Sequence, residues 1–171
     1  MIKEYNYSSI ITNSHQKNAI KKIDNIFLSG NWPKFHKGLP KFQTWPNINT
    51  YEELKIFERT FLESCIDYLH FANIKFNYKI ILWCYKNNRF NHKKKDHDEQ
   101  WHSHDEPGQN KLSGIYYLRN LRNEGTEFEN FKIDTKPYTW YIYPSNLLHR
   151  PPKIKSFRYR YTLASDFYFT I

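Results

Sequence analysis

The chain has 171 residues, 26 Lys and Arg against 17 Asp and Glu, a formal net charge of +9, and aromatic side chains at 19% of its positions. That length, without a Gly/Ser-rich linker or an internal repeat, predicts one domain over residues 1–171 and excludes a repeat array. The polar start from Met1 to Ser9 and the lack of eighteen consecutive apolar residues argue against a signal peptide or membrane span, so no membrane partner and a cytoplasmic protein are expected.

Elements follow in chain order. From Asn13 to Leu28, Ile20, Ile23, Ile26 and Phe27 recur at helical spacing, and Gly30 offers a stop. A Pro-punctuated stretch follows, in which Phe42-Gln43-Thr44 reads as a short extended segment. A second helix is predicted from Thr50, where Thr50 and Glu53 form a candidate capping box and Leu54, Phe57, Phe61, Cys65, Tyr68 and Ala72 make an apolar stripe. Phe76, Tyr78, Ile80, Leu82 and Cys84 then alternate as a strand. After Tyr85 comes a polar loop containing the run Lys93 to Glu99, which reads as solvated. Strands are predicted over Leu112–Leu118, Thr126–Phe131, Tyr138–Tyr143 and Phe157–Phe169, separated by Asn123-Glu124-Gly125, Lys136-Pro137 and Pro151-Pro152. Helices followed by many strands predict a mainly β fold with N-terminal helices, a helix-backed sandwich or barrel.

The positive charge raises encounter rates with acidic partners, nucleic acid among them. Lys, Asn, Ile and Tyr are also the residues that A+T-rich codons specify, which makes charge a weak argument for nucleic acid. Cys65 and Cys84 fall at apolar helix and strand positions and read as buried thiols in a reducing compartment.

The chemistry is concentrated in two distant clusters, Trp101-His102-Ser103-His104 and Leu148-His149, followed by Arg158-Tyr159-Arg160-Tyr161-Thr162. On an extended segment His102 and His104 project to one face, so both imidazoles can reach one ion. His149, at the end of an aromatic strand, is the candidate third ligand. Three facial ligands with open positions are what non-haem Fe(II) oxygenation requires, usually two histidines and a carboxylate. Asp105 and Glu106 follow His104 directly, and no plain His-x-Asp occurs. Two ligand sets therefore stand, His102, His104 and His149, or a set with His104, His149 and a carboxylate from Glu106 or Asp105.

Arg160, or alternatively Arg158, lies on a strand that otherwise reads as core, and a guanidinium facing inward demands an anionic partner. Thr162 shares a face with Arg160 and could join it in clamping a carboxylate. Tyr116 or Tyr117 could donate a third bond. Trp83, Trp101 and Trp140 could wall the cavity.

In this order the residues resemble the 2-oxoglutarate- and Fe(II)-dependent dioxygenase superfamily. The similarity to its small phage and bacterial members runs through Phe42-Gln43-Thr44-Trp45-Pro46-Asn47, the His-x-His, Ser113-Gly114-Ile115-Tyr116-Tyr117-Leu118, Tyr143-Pro144-Ser145 before His149, and Arg160-Tyr161-Thr162. The strands Ser113–Leu118 and Arg160–Leu163 are also similar to those of prolyl hydroxylases. The resemblance implies a double-stranded β-helix, the jelly-roll of cupin-like proteins, backed by one or two helices. It further implies an oxidoreductase, most commonly a hydroxylase, that couples substrate C–H oxidation to conversion of 2-oxoglutarate into succinate. Fe(II) would be the metal, 2-oxoglutarate the co-substrate held by Arg160, Tyr117 and Thr162, and ascorbate an accessory reductant. Partners would be dioxygen and a protein side chain, small metabolite or nucleobase; for a viral member the site of action would be the host cytoplasm. Two rivals use the same residues otherwise: a cupin-like metal enzyme without 2-oxoglutarate, and a non-catalytic β-sandwich that binds a polyanion.

Overall fold

A computed structural model describes residues 1–29, 44, 47–90, 101–119 and 124–171. Phe42, Gln43, Trp45, Pro46 and the run Lys93 to Glu99 lie outside them. The elements are β1 (Lys3–Asn6), α1 (Asn13–Leu28), α2 (Lys55–Leu69), β2 (Asn77–Asn87), β3 (Asn110–Tyr117), β4 (Glu127–Phe128), β5 (Phe131–Lys132), β6 (Thr139–Pro144), β7 (His149–Arg150) and β8 (Arg160–Thr170). Among the described residues no helix is long and apolar enough to cross a membrane.

All strand pairs are antiparallel. Five strands form the major sheet in the order β1-β6-β3-β8-β2, and a minor sheet has the order β5-β4-β7. The long β2–β8 pairing runs from Asn77 opposite Thr170 to Asn87 opposite Arg160. This register carries the end of β2 to the same depth as the start of β8.

Side-chain alternation splits the major sheet into two chemically distinct faces. Ile80, Leu82 and Cys84 of β2, Leu112 and Tyr116 of β3, Trp140 and Ile142 of β6, and Leu163 and Phe167 of β8 pack with Phe57, Phe61 and Cys65 of α2 in one apolar core. The opposite residues, Ile115, Tyr117, Tyr141 and Tyr143, join Phe128 and Ile133 in a second, smaller core under the minor sheet. Strand β3 is buried on both faces for this reason. Gly114 lets Phe61 of α2 lie on the strand: a Cβ there would stand 2.5 Å from Cε2 of Phe61.

Helix α1 occupies the predicted span and starts at a Thr12 cap, whose hydroxyl accepts from the His15 backbone while His15 Nδ1 accepts from the Thr12 backbone. The capping box expected at Thr50 and Glu53 does not form. Ile48–Thr50 and Glu52–Leu54 are short 3-10 turns, Thr50 donates its hydroxyl to the Asn47 carbonyl, and α2 begins at Lys55. The stripe from Leu54 through Cys65 is buried as expected, but α2 closes at His70 in the left-handed conformation (φ 59), which leaves Ala72 outside the helix. The strand expected over Thr126–Phe131 is instead the hairpin β4–β5, and the last strand starts at Arg160 rather than Phe157. Both cysteines are buried free thiols, and desolvation holds each well above the ordinary thiol range.

Candidate metal centre

Three histidines meet between the two sheets. One nitrogen each of His102, His104 and His149 can be chosen so that all lie within 4.8 Å of one another, a separation compatible with three imidazoles on one ion. The backbone sets this up. His102 donates its N–H to the His149 carbonyl at 3.0 Å and accepts from the His149 N–H at 2.9 Å, an isolated antiparallel bridge that places the two side chains side by side. His104 donates its N–H to the Ser145 carbonyl at 2.8 Å, so the extended segment stays docked for two more residues.

Hydrogen bonds at Nδ1 orient two of the rings. The Nδ1–H of His149 donates to its neighbour Leu147's carbonyl at 2.9 Å, and that of His104 donates to Asp166 Oδ1 at 2.9 Å. In both cases Nε2 is left with its lone pair as the ligand atom. His149 is 5% exposed. Burial, with the neighbouring His104 and His102, lowers its pKa to about 3, so the imidazole is neutral and ligand-ready at physiological pH.

The carboxylates that follow His104 stay apart from this group. Asp105 is exposed, and Glu106 Oε1 accepts from Lys111 Nζ at 3.0 Å and from the Tyr168 hydroxyl at 3.1 Å. The Lys111 hydrogen bond holds Glu106 below the usual carboxylate range. The chain turns at Pro107-Gly108 to begin β3, which takes Glu106 toward Lys111 instead of along the face of His102 and His104.

A cavity of about 40 Å³ adjoins the histidines, and its lining includes Tyr85, Asn87, Thr126, Tyr143, Arg160 and Thr162. Arg160 and Thr162 share its face, as their spacing predicts, whereas Arg158 is exposed on the segment before β8. Arg160 is 2% exposed; none of the ion pairs among the described residues includes it, and the charge of the buried Glu124 acts on it from longer range. Its guanidinium lies 5.3 Å from the Tyr117 ring centre, and desolvation lowers its pKa, partly offset by Tyr117. Nε of Arg160, Oγ1 of Thr162 and Oδ1 of Asn87 are all buried without a hydrogen-bond partner. Of the three, the Arg160 Nε–H and the Thr162 hydroxyl can donate to an anion, whereas the Asn87 oxygen only accepts.

The other aromatic candidates separate by face. Tyr117 faces the cavity side; its hydroxyl donates to Thr126 Oγ1 at 3.0 Å and accepts from the Thr126 N–H at 2.8 Å, and its ring lies beside the Arg160 guanidinium. Tyr116 points to the helices, where its hydroxyl accepts from Gln16. Trp140 does the same, donating to Thr60, and cannot wall the cavity. Trp83 packs 5.6 Å from the His104 ring, and Trp101 is exposed under the Arg150 guanidinium. Asn87, Ser113 and Asp166 were not singled out as site residues by the sequence. Continuing the period-two row Arg160, Thr162, Ala164 by one step reaches Asp166.

No protein family matches this chain by sequence, and no curated protein does. Solved structures do. A prolyl 4-hydroxylase from Phytophthora capsici superposes over 98% of this chain and 58% of its own with a TM-score of 0.63 at 11% identity. HygX from Streptomyces hygroscopicus, solved with nickel and 2-oxoglutarate bound, covers 98% and 82% with a TM-score of 0.60 at 7% identity. A Pseudomonas putida prolyl 4-hydroxylase covers 98% and 91% with a TM-score of 0.58 at 9% identity. The chain has the double-stranded β-helix fold. At these identities the likeness concerns architecture, and the chain spans little more than half the length of the Phytophthora protein.

Proposed function

We propose that this protein is an Fe(II)- and 2-oxoglutarate-dependent dioxygenase, a hydroxylase in its simplest form, with His102, His104 and His149 holding the metal. The observation that carries the reading is the coincidence in one cavity of three convergent imidazoles with a buried Arg160 that lacks a carboxylate partner. Leaving the Arg160 Nε–H and the Thr162 hydroxyl buried and unsatisfied costs free energy, which a bound carboxylate would recover. The donor set fits the proposed ligands: neutral imidazole suits a first-row divalent metal, and Arg160 with Thr162 suits a carboxylate.

Each residue then has a definable task. His102, His104 and His149 fix the metal, while the bond to Leu147 and the bond to Asp166 hold His149 and His104 in the tautomer that exposes Nε2. Arg160 anchors the far carboxylate of 2-oxoglutarate from the strand opposite Asn87, and Thr162 adds a hydroxyl on the same face. Tyr117 braces the guanidinium from one side and is itself fixed by Thr126. Ile115, Tyr143 and Pro151 exclude water from the cavity. The metal and co-substrate, when bound, supply the oxidation of a substrate C–H bond at the expense of 2-oxoglutarate and dioxygen.

The test is an anaerobic titration of apoprotein with Fe(II) and 2-oxoglutarate, watching for the visible charge-transfer band of the chelate. The band is expected with wild type, absent in His149→Ala and weakened in Arg160→Ala. Tight Fe(II) binding with no band would favour a cupin-like enzyme that uses the same histidines and no 2-oxoglutarate. Neither metal nor band would leave a protein whose positive surface binds polyanions. The substrate class, whether protein side chain, small metabolite or nucleobase, is the subject of a screen once the band is seen.

A further inference from the structure

We infer that Asp166 is a positioning residue that supplies, through His104, the negative charge a facial triad ordinarily receives from a ligating carboxylate. This rests on the three-histidine reading of the centre. The usual non-haem iron triad is two histidines and one carboxylate, and three neutral imidazoles give an ion less charge compensation. Here the carboxylate stands one shell further out. Asp166 projects from β8 on the cavity face, and its Oδ1 accepts the Nδ1–H of His104 at 2.9 Å. A carboxylate so placed raises the basicity of the opposite nitrogen and fixes the plane of the ring.

The surroundings hold Asp166 for this task. Ser113 lies opposite it in the β3–β8 register and donates its hydroxyl to the same Oδ1 at 2.7 Å. Lys111 Nζ is 3.8 Å from Oδ2, nearer to Glu106 than to Asp166, so it compensates the buried charge without taking the oxygen that faces His104. Asp166 is 6% exposed and Ser113 is fully buried. A carboxylate this enclosed is costly unless it is hydrogen-bonded and paired, and here an imidazole N–H and a hydroxyl donate to it while the Lys111 ammonium compensates its charge from 3.8 Å. The arrangement also accounts for the serine at position 113: a methyl or larger apolar group there would leave Oδ1 with one donor.

Co(II) serves as the probe, because its affinity and its ligand-field spectrum are both readable without turnover. Asp166→Asn keeps an oxygen near Nδ1 and removes the charge, Asp166→Ala removes both, and Ser113→Ala leaves the carboxylate but frees it. Expected are an affinity loss of about 10- to 100-fold in Asp166→Asn, a larger loss in Asp166→Ala, a smaller one in Ser113→Ala, and a shifted ligand-field band in all three, with circular dichroism of the apoproteins unchanged. A folded Asp166→Asn that binds Co(II) with wild-type affinity and spectrum would overturn the inference while leaving the centre intact. Should Asp166→Asn fail to fold, Ser113→Ala decides, and wild-type affinity and spectrum there would overturn it equally. Wild type and His149→Ala binding alike would mean that the three-histidine centre itself is wrong, and the role of Asp166 with it.

Discussion

Burial and two facing imidazoles keep His149 from taking up a proton in the folded chain. Its folded pKa is lowered to about 3 by burial and by the facing imidazoles of His104 and His102, against about 6.5 in the unfolded chain. Above pH 6.5 both states leave it neutral and pH has no leverage through this group. Below that, the unfolded chain takes up a proton that the folded one refuses, so apoprotein stability falls with acidification, by about 2 kcal/mol at pH 5. Urea midpoints measured from pH 7.5 to 5 should show the decline in wild type and a shallower slope in His149→Gln. Arg160 makes the opposite kind of prediction. A buried guanidinium without an ion-paired carboxylate is kept at the expense of stability, so Arg160→Met should unfold no earlier than wild type while weakening the 2-oxoglutarate band. Four of these positions, His102, His104, Arg160 and Thr162, could be read from the sequence because period two puts each pair on one face. Asp166 could not, since its partner is 62 residues away and nothing local marks an aspartate on an aromatic strand as an acceptor. Period two also admitted Glu106 as a ligand, whereas in the fold its carboxylate is engaged by Lys111 and Tyr168, which no local pattern announces.

Helix α1, the apolar stripe of α2 and the paired strands β2, β3, β6 and β8 follow from periodicity, because each buries one regular face against the same core. What local pattern could not supply was the competition at the ends. Thr50 and Glu53 have the chemistry of a capping box, yet the preceding 3-10 turn gives the Thr50 hydroxyl to Asn47 and shifts the helix start to Lys55. Likewise the apolar run after Thr126 folds back on itself, because Phe128 and Phe131 stack face to face at 4.9 Å across a tight turn. The contact between β3 and α2 is a sharper test of the packing. Gly114 allows Phe61 to lie on the sheet, and a methyl at that position would meet the ring at 2.5 Å. Gly114→Ala should therefore destabilise by about 1–3 kcal/mol through overpacking, read as a lower denaturation midpoint with an unchanged slope. Phe61→Leu in the same chain should recover part of the loss.

For the molecule as a whole, ligand binding and folding are linked. A metal held only by the assembled histidines stabilises the folded state by about 2.7 kcal/mol at a free concentration one hundred times Kd, and for a chain of this size that raises Tm by roughly 5–11 °C. Addition of 2-oxoglutarate to the metal-loaded form should raise it again. The way to uncouple these two increments lies in β8, where Arg160, Thr162, Ala164 and Asp166 follow one another along the cavity face. Three of the four are polar and have an assignment in the site; the fourth is a methyl group, flanked across the sheet by Trp83 and Ile115. On the proposed assignments Ala164 is the spacer of the row, the low point between the anion anchor and the metal-side carboxylate. Its smallness sets a clearance, and a branched side chain there would act as a plug. Ala164→Leu should keep the first thermal increment and abolish the second, which makes the bulk tolerated at position 164 a direct gauge of whether a co-substrate has to lie across that strand.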